Sequence, residues 1–104
     1  MTGPTVTRWP QREPPTKDAL DQKMRDEGLS PRWWSNGSGD RYAEHEHGYH
    51  KVLYCSSGSI LFETPNERIA LKPGDRLDLP PHTAHSAVVG AQGVECVEAE
   101  GRLT

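Results

Sequence analysis

The stretch Gly39-Asp40-Arg41-Tyr42-Ala43-Glu44-His45-Glu46-His47-Gly48-Tyr49-His50-Lys51 carries three of the chain's five histidines, and Gly74-Asp75-Arg76-Leu77-Asp78-Leu79-Pro80-Pro81-His82-Thr83-Ala84-His85 carries the other two. Side chains alternate between faces along an extended strand, so His45 and His47 project the same way. A third histidine from a distant strand would complete a facial set of imidazoles, which suits iron, nickel, copper or zinc. No other cluster of chemistry-bearing residues in the chain competes with this one.

Around these stretches the chain reads as strands. Arg32–Ser35 looks like a first strand, followed by the turn residues Asn36-Gly37-Ser38-Gly39-Asp40. Short runs of strand formers follow at Tyr42–His47, Lys51–Cys55, Ser59–Glu63, Arg68–Leu71, Arg76–Leu79, His85–Val89 and Val94–Glu98, with Thr64-Pro65-Asn66-Glu67 as a hairpin turn. Many short strands without intervening helical periodicity predict an all-β sandwich or barrel. One helix precedes them, over about residues 17–27. Thr16 is its N-cap, Asp18 lies in its first turn, Gly28 stops it, and Ala19, Leu20 and Met24 form its apolar stripe. Residues 1–15 contain Pro4, Pro10, Pro14 and Pro15 and read as an extended arm, in which Trp9 either docks on a barrel or lies in disordered chain.

The 104 residues allow one domain, taken as 16–104 with its barrel over about 32–100. A hydrophobic fraction of 33% implies a thin core, which favours a homodimer. A net charge of −3 and the absence of a basic stripe exclude a nucleic-acid partner. The chain shows no span-length apolar run and no signal-type apolar core, so it is expected to be cytoplasmic and without a membrane partner. Cys55 and Cys96 then read as buried thiols, with a disulfide between neighbouring strands as the alternative.

The region from Gly39 to Val89 resembles the cupin superfamily. Its first motif is a glycine, five residues, His-x-His, three or four residues, a glutamate, six residues and a glycine. Gly39, His45-Glu46-His47, Lys51 and Gly58 keep every interval. Its second motif is a glycine, five residues, Pro-x-Gly, two residues, a histidine, three residues and an asparagine. Gly74, Pro80-Pro81-His82 and His85 keep those intervals as well. The resemblance implies a double-stranded β-helix (a jelly-roll barrel) and carries the metal-ligand roles onto His45, His47 and His85. The chain departs from the pattern at three places. Lys51 stands at the glutamate, His82 at the second-motif glycine and Val89 at the asparagine.

Lys51 bears on the chemistry. Three neutral imidazoles leave a divalent ion at its full charge. An ammonium about 5 Å away, at an effective dielectric of about 20, would be repelled by roughly 6–7 kcal/mol. Either the ion is held with the amine neutral or turned aside, or an anionic substrate sits between them, or no metal binds and Lys51 with the histidines binds an anion directly. His50 precedes Lys51 with the opposite parity and is a poor ligand candidate, Glu44 and Glu46 point outward, and His82 reads as an exposed turn residue. Trp33 and Trp34 read as packing residues, one of them a possible wall for a ligand, and Tyr42 and Tyr49 as packing residues or hydrogen-bond donors.

The resulting expectation is a small cupin enzyme holding one divalent transition metal (Fe, Mn, Ni, Cu or Zn) through His45, His47 and His85. It would act on a small anionic organic substrate, with Lys51 as the catalytic group and the dioxygenase, isomerase or lyase class left open. The alternative is a metal-free binding or sensing module in which Lys51 contacts an anionic ligand.

Overall fold

The computed structural model describes residues 3–101. In chain order its elements are β1 (Thr5–Thr7), α1 (Lys17–Asp26), β2 (Arg32–Asn36), β3 (Arg41–His45), β4 (Lys51–Glu63), β5 (Arg68–Leu71), β6 (Arg76–Leu79) and β7 (His85–Glu100). Every pairing is antiparallel. The strand path is β1-β6-β4-β7-β2, with β3 also on β7 and β5 also on β4. This is the expected jelly-roll barrel with one N-terminal helix.

Two pairs of expected strands are fused. Lys51–Cys55 and Ser59–Glu63 form the single strand β4, and His85–Val89 and Val94–Glu98 lie within β7. These two strands pair along nearly their whole length, from Lys51↔Glu100 to Glu63↔Ser86. Register shifts between Cys55 and Ser57 and between Gly58 and Ile60 bend the ribbon without ending it, as β-bulges do. Gly58 is at the bend with φ +73, where a Cβ would lie 1.9 Å from the Gly93 carbonyl oxygen. The glycine punctuation read as strand ends marks this bend instead.

Alternation along the strands separates two apolar layers. Leu53, Cys55, Ile60, Phe62, Leu77, Leu79, Val94 and Cys96 fill the barrel, while Val52, Tyr54, Val97 and Ala99 face the helix side with Leu20 and Met24. Helix α1 begins where Thr16 Oγ1 accepts from the Ala19 N–H at 3.1 Å, and the chain turns away at Gly28, φ 78. Trp33 belongs to this side: its Nε1–H donates to Asp21 at 3.0 Å, and Lys17 lies 4.7 Å above its ring.

The proline-rich N-terminal segment lies on its own barrel. Thr5–Thr7 add an edge strand to β6, a pairing too short and too closely flanked by proline to stand out in the sequence. Trp9 lies against Gly74, where a Cβ would meet its Cγ at 2.3 Å. The buried Asp75 carboxylate fastens the segment by accepting from the Trp9 N–H (3.0 Å), the Lys72 N–H (2.9 Å) and Arg8 (2.8 Å). Burial works against ionisation of Asp75, yet these donors hold its carboxyl below the usual carboxylate range. Among the described residues, no helix is long and apolar enough to cross a membrane.

Two outcomes are expected from this architecture. Gly58→Ala introduces both a left-handed alanine and a clash with backbone, so it should cost about 2 kcal/mol or more, read as a lower urea midpoint. A depressed carboxylate stabilises the fold above its unfolded-state pKa and loses that contribution as pH falls through its folded value. The melting-temperature gap between wild type and Asp75→Asn should therefore be open at neutral pH and close in acid. A gap independent of pH would mean that the charge of Asp75 contributes nothing.

Candidate metal centre

Strands β3 and β7 bring the histidines together. His45 and His85 are direct cross-strand partners, with ring centroids 4.3 Å apart. The expected strand Tyr42–His47 ends at His45, and a register shift separates Tyr42 from it. His47 therefore reaches the site from the turn that follows, 4.8 Å from the His45 ring and 5.3 Å from that of His85. The His82 N–H donates to the His47 carbonyl at 2.7 Å and ties this turn to the second motif. One ring nitrogen from each of His45, His47 and His85 can be chosen so that all three lie within 4.8 Å of one another.

Hydrogen bonds fix two of the tautomers. His45 Nδ1 lies 2.8 Å from the Ala43 carbonyl and His85 Nδ1 lies 2.8 Å from that of Thr83. A carbonyl only accepts, so each Nδ1 carries a proton, and in the neutral ring the lone pair is on Nε2. The Nε2 atoms of His47 and His85 are buried without a hydrogen-bond partner. Leaving such atoms unsatisfied costs about 1–3 kcal/mol each. Burial, together with the charges of Lys51 and His45, pushes the pKa of His47 down. At His85 burial dominates, the Thr83 bond opposes it, and the neighbouring charges add to it. Both rings are thereby held in the neutral form that ligates metal. The donor set, its tautomers and its unpartnered nitrogens all fit a bound transition-metal ion.

A cavity of about 260 Å³ adjoins the cluster, lined by Trp34, Tyr42, His45, Lys51, Ile60, Phe62, His85, Ala87 and Glu98. Of the two adjacent tryptophans, Trp34 is the one on this wall. Tyr42 packs edge-on to it at 5.9 Å and donates its hydroxyl to Asn36, while Tyr49 stacks on His47 at 4.9 Å. Lys51 is buried beside the cavity, with Nζ 3.2 Å from Glu98 Oε1. The same oxygen accepts from Trp34 Nε1 at 2.8 Å, and Oε2 accepts from Arg32 at 3.2 Å.

Glu98 is the residue that the sequence reading passed over. The signal was available, because Val94, Cys96 and Glu98 share the parity that fills the barrel, and a carboxylate at that parity needs a partner. The remaining candidates lie elsewhere. His50 faces away from the cluster and bonds Asp78 at 2.8 Å. His82 is exposed and 3.2 Å from Glu46. It adopts φ 62, the left-handed conformation for which the motif's glycine is suited. Cys55 and Cys96 face each other in register as buried free thiols.

Comparison with known proteins agrees with this geometry. Residues 35–97, more than half of the chain, match the AraC-like ligand binding domain. Quercetin 2,3-dioxygenase of Bacillus subtilis (strain 168) is 43% identical over 49 residues, 46% of this chain and 14% of that enzyme, so the chain spans only a small part of its length. Among solved structures, a cupin superfamily protein from Desulfitobacterium hafniense superposes with a TM-score of 0.63 at 15% identity over 93% of this chain and 75% of the other. KdgF from Halomonas sp. superposes with a TM-score of 0.58 at 27% identity, covering 71% and 70%. The chain belongs to the AraC-like ligand binding domain family of the cupin superfamily.

Proposed function

We propose that the chain is a mononuclear metal-dependent cupin enzyme, holding one divalent transition metal (Fe, Mn, Ni, Cu or Zn) through His45, His47 and His85 and acting on a small organic molecule in the adjoining cavity. The observation that carries this reading is the pair of buried, unpartnered Nε2 atoms on His47 and His85, within reach of a third imidazole. Such a metal supplies Lewis acidity or dioxygen activation when bound. The similarity to a stretch of a dioxygenase supports oxygen chemistry over isomerase or lyase chemistry.

The chain's own residues have separate tasks. Trp34, Ile60, Phe62 and Ala87 accept an apolar body and keep water from it. Lys51 offers the N–H groups that Glu98 leaves free to an oxygen of the substrate, a carboxylate or an enolate. Tyr42 already donates to Asn36, which leaves its oxygen as an acceptor at the cavity wall. A second reading, a metal-free sensing domain with Lys51 as its anion contact, is favoured by the ligand-binding character of the matched family.

Metal content decides between them. Untagged protein, purified without chelator or nickel resin, should carry about one equivalent of transition metal by inductively coupled plasma mass spectrometry. His45→Ala and His85→Ala should each lose it, while His50→Ala, altered on the far side of β4, should keep it. A wild-type chain that neither carries nor takes up any of the five metals would establish the sensing reading instead.

A further inference from the structure

His45, His85 and Lys51 line one cavity, with His47 beside the two histidines in the ligand cluster, and the position that the cupin pattern gives to a carboxylate is cationic here. Among the described residues, the only carboxylate lining that cavity is Glu98. It is not a member of the ligand cluster, which consists of His45, His47 and His85. Its two oxygens are already engaged, Oε1 by Lys51 and Trp34 and Oε2 by Arg32. The side chains of Lys51 and Glu98 are only 11% and 14% exposed, so their charges are weakly screened.

We propose that Glu98 is the positioning residue that makes a divalent cation tolerable at the three histidines, by holding the Lys51 ammonium in a neutral pair and not by ligating the ion. The inference rests on the metal reading above and adds the source of the missing negative charge. A carboxylate two strand positions from the end of β7 offsets, through Lys51, the charge that the family's first motif would have offset directly. With Lys51 at the motif's glutamate position, an ion here would be held by three residues of the chain, His45, His47 and His85, and its remaining positions would be open to substrate. Trp34 has a defined part in this, because its indole N–H orients Oε1 between itself and Lys51.

The test is a charge cycle read as affinity for Zn²⁺, by competition with a chromophoric chelator on the full chain, with thermal melts to confirm folding. Glu98→Gln leaves Lys51 unopposed and should weaken Zn²⁺ binding about tenfold or more, whereas Lys51→Met leaves Glu98 with only the exposed Arg32 as counter-charge and should tighten it by a similar factor. The double variant should return to within about threefold of wild type, since the pair as a whole is neutral. If Glu98→Gln fails to fold, Lys51→Met and the double variant still give the comparison. Wild-type affinity in Glu98→Gln, or single variants that shift affinity in the same direction, would overturn the charge-compensating role while leaving the metal site in place. A wild-type chain without Zn²⁺ affinity would overturn both.

Discussion

The β4–β7 ladder is the constraint on which the rest of the structure depends. It runs from Lys51↔Glu100 to Glu63↔Ser86, and every other strand except β1 pairs with one of its two members. One end of β7 contributes His85, and the other contributes Glu98 to the same cavity. A slip of one residue in this ladder would exchange the barrel face for the helix face along all of β7. His85 would leave the cluster, Glu98 would turn away from Lys51, and Val97 would enter the barrel. The apolar layers on both sides of the ribbon therefore fix the chemistry as well as the core.

The site works against the fold that holds it. A barrel interior filled by Leu53, Ile60, Phe62 and Leu71 is a poor medium for imidazole nitrogens and for charge. His85 is 2% exposed, and its Nδ1 is satisfied by Thr83 while its Nε2 is not. An apolar residue there would pack with less penalty. The arrangement is reasonable in a chain that recovers the loss on binding, when the unsatisfied lone pairs gain a partner.

Local spacing made much of this legible. The His-x-His pair, the second-motif histidine and the intervals around them lie within two short segments, and local alternation determines the parity of each residue. The helix was readable from Thr16 and Gly28 for the same reason. What escaped depends on partners distant in sequence. Thr5–Thr7 become a strand only because β6 presents an edge to them. Gly58 marks a bend and not an end because Gly93 sits across from it. Glu98 acquires its meaning from Lys51, 47 positions earlier, through a register that no short window contains.

The Lys51–Glu98 pair is hard to explain as a device for stability. Taking both charges out of water costs several kcal/mol per ion, and apolar residues of similar volume commonly do as well or better in such places. Exposed pairs such as Arg68–Glu63 carry little penalty and little benefit, so they need no special account. A pair kept at 11% and 14% exposure, with one carboxylate oxygen shared between an ammonium and an indole, has been positioned at a cost. Its neighbours give the reason, since it opens onto the same cavity as His45 and His85. Charge in a barrel interior is useful where another charge is to be placed beside it, and a neutral pair next to the unpartnered nitrogens of His47 and His85 is an environment that a cation can enter without first displacing another.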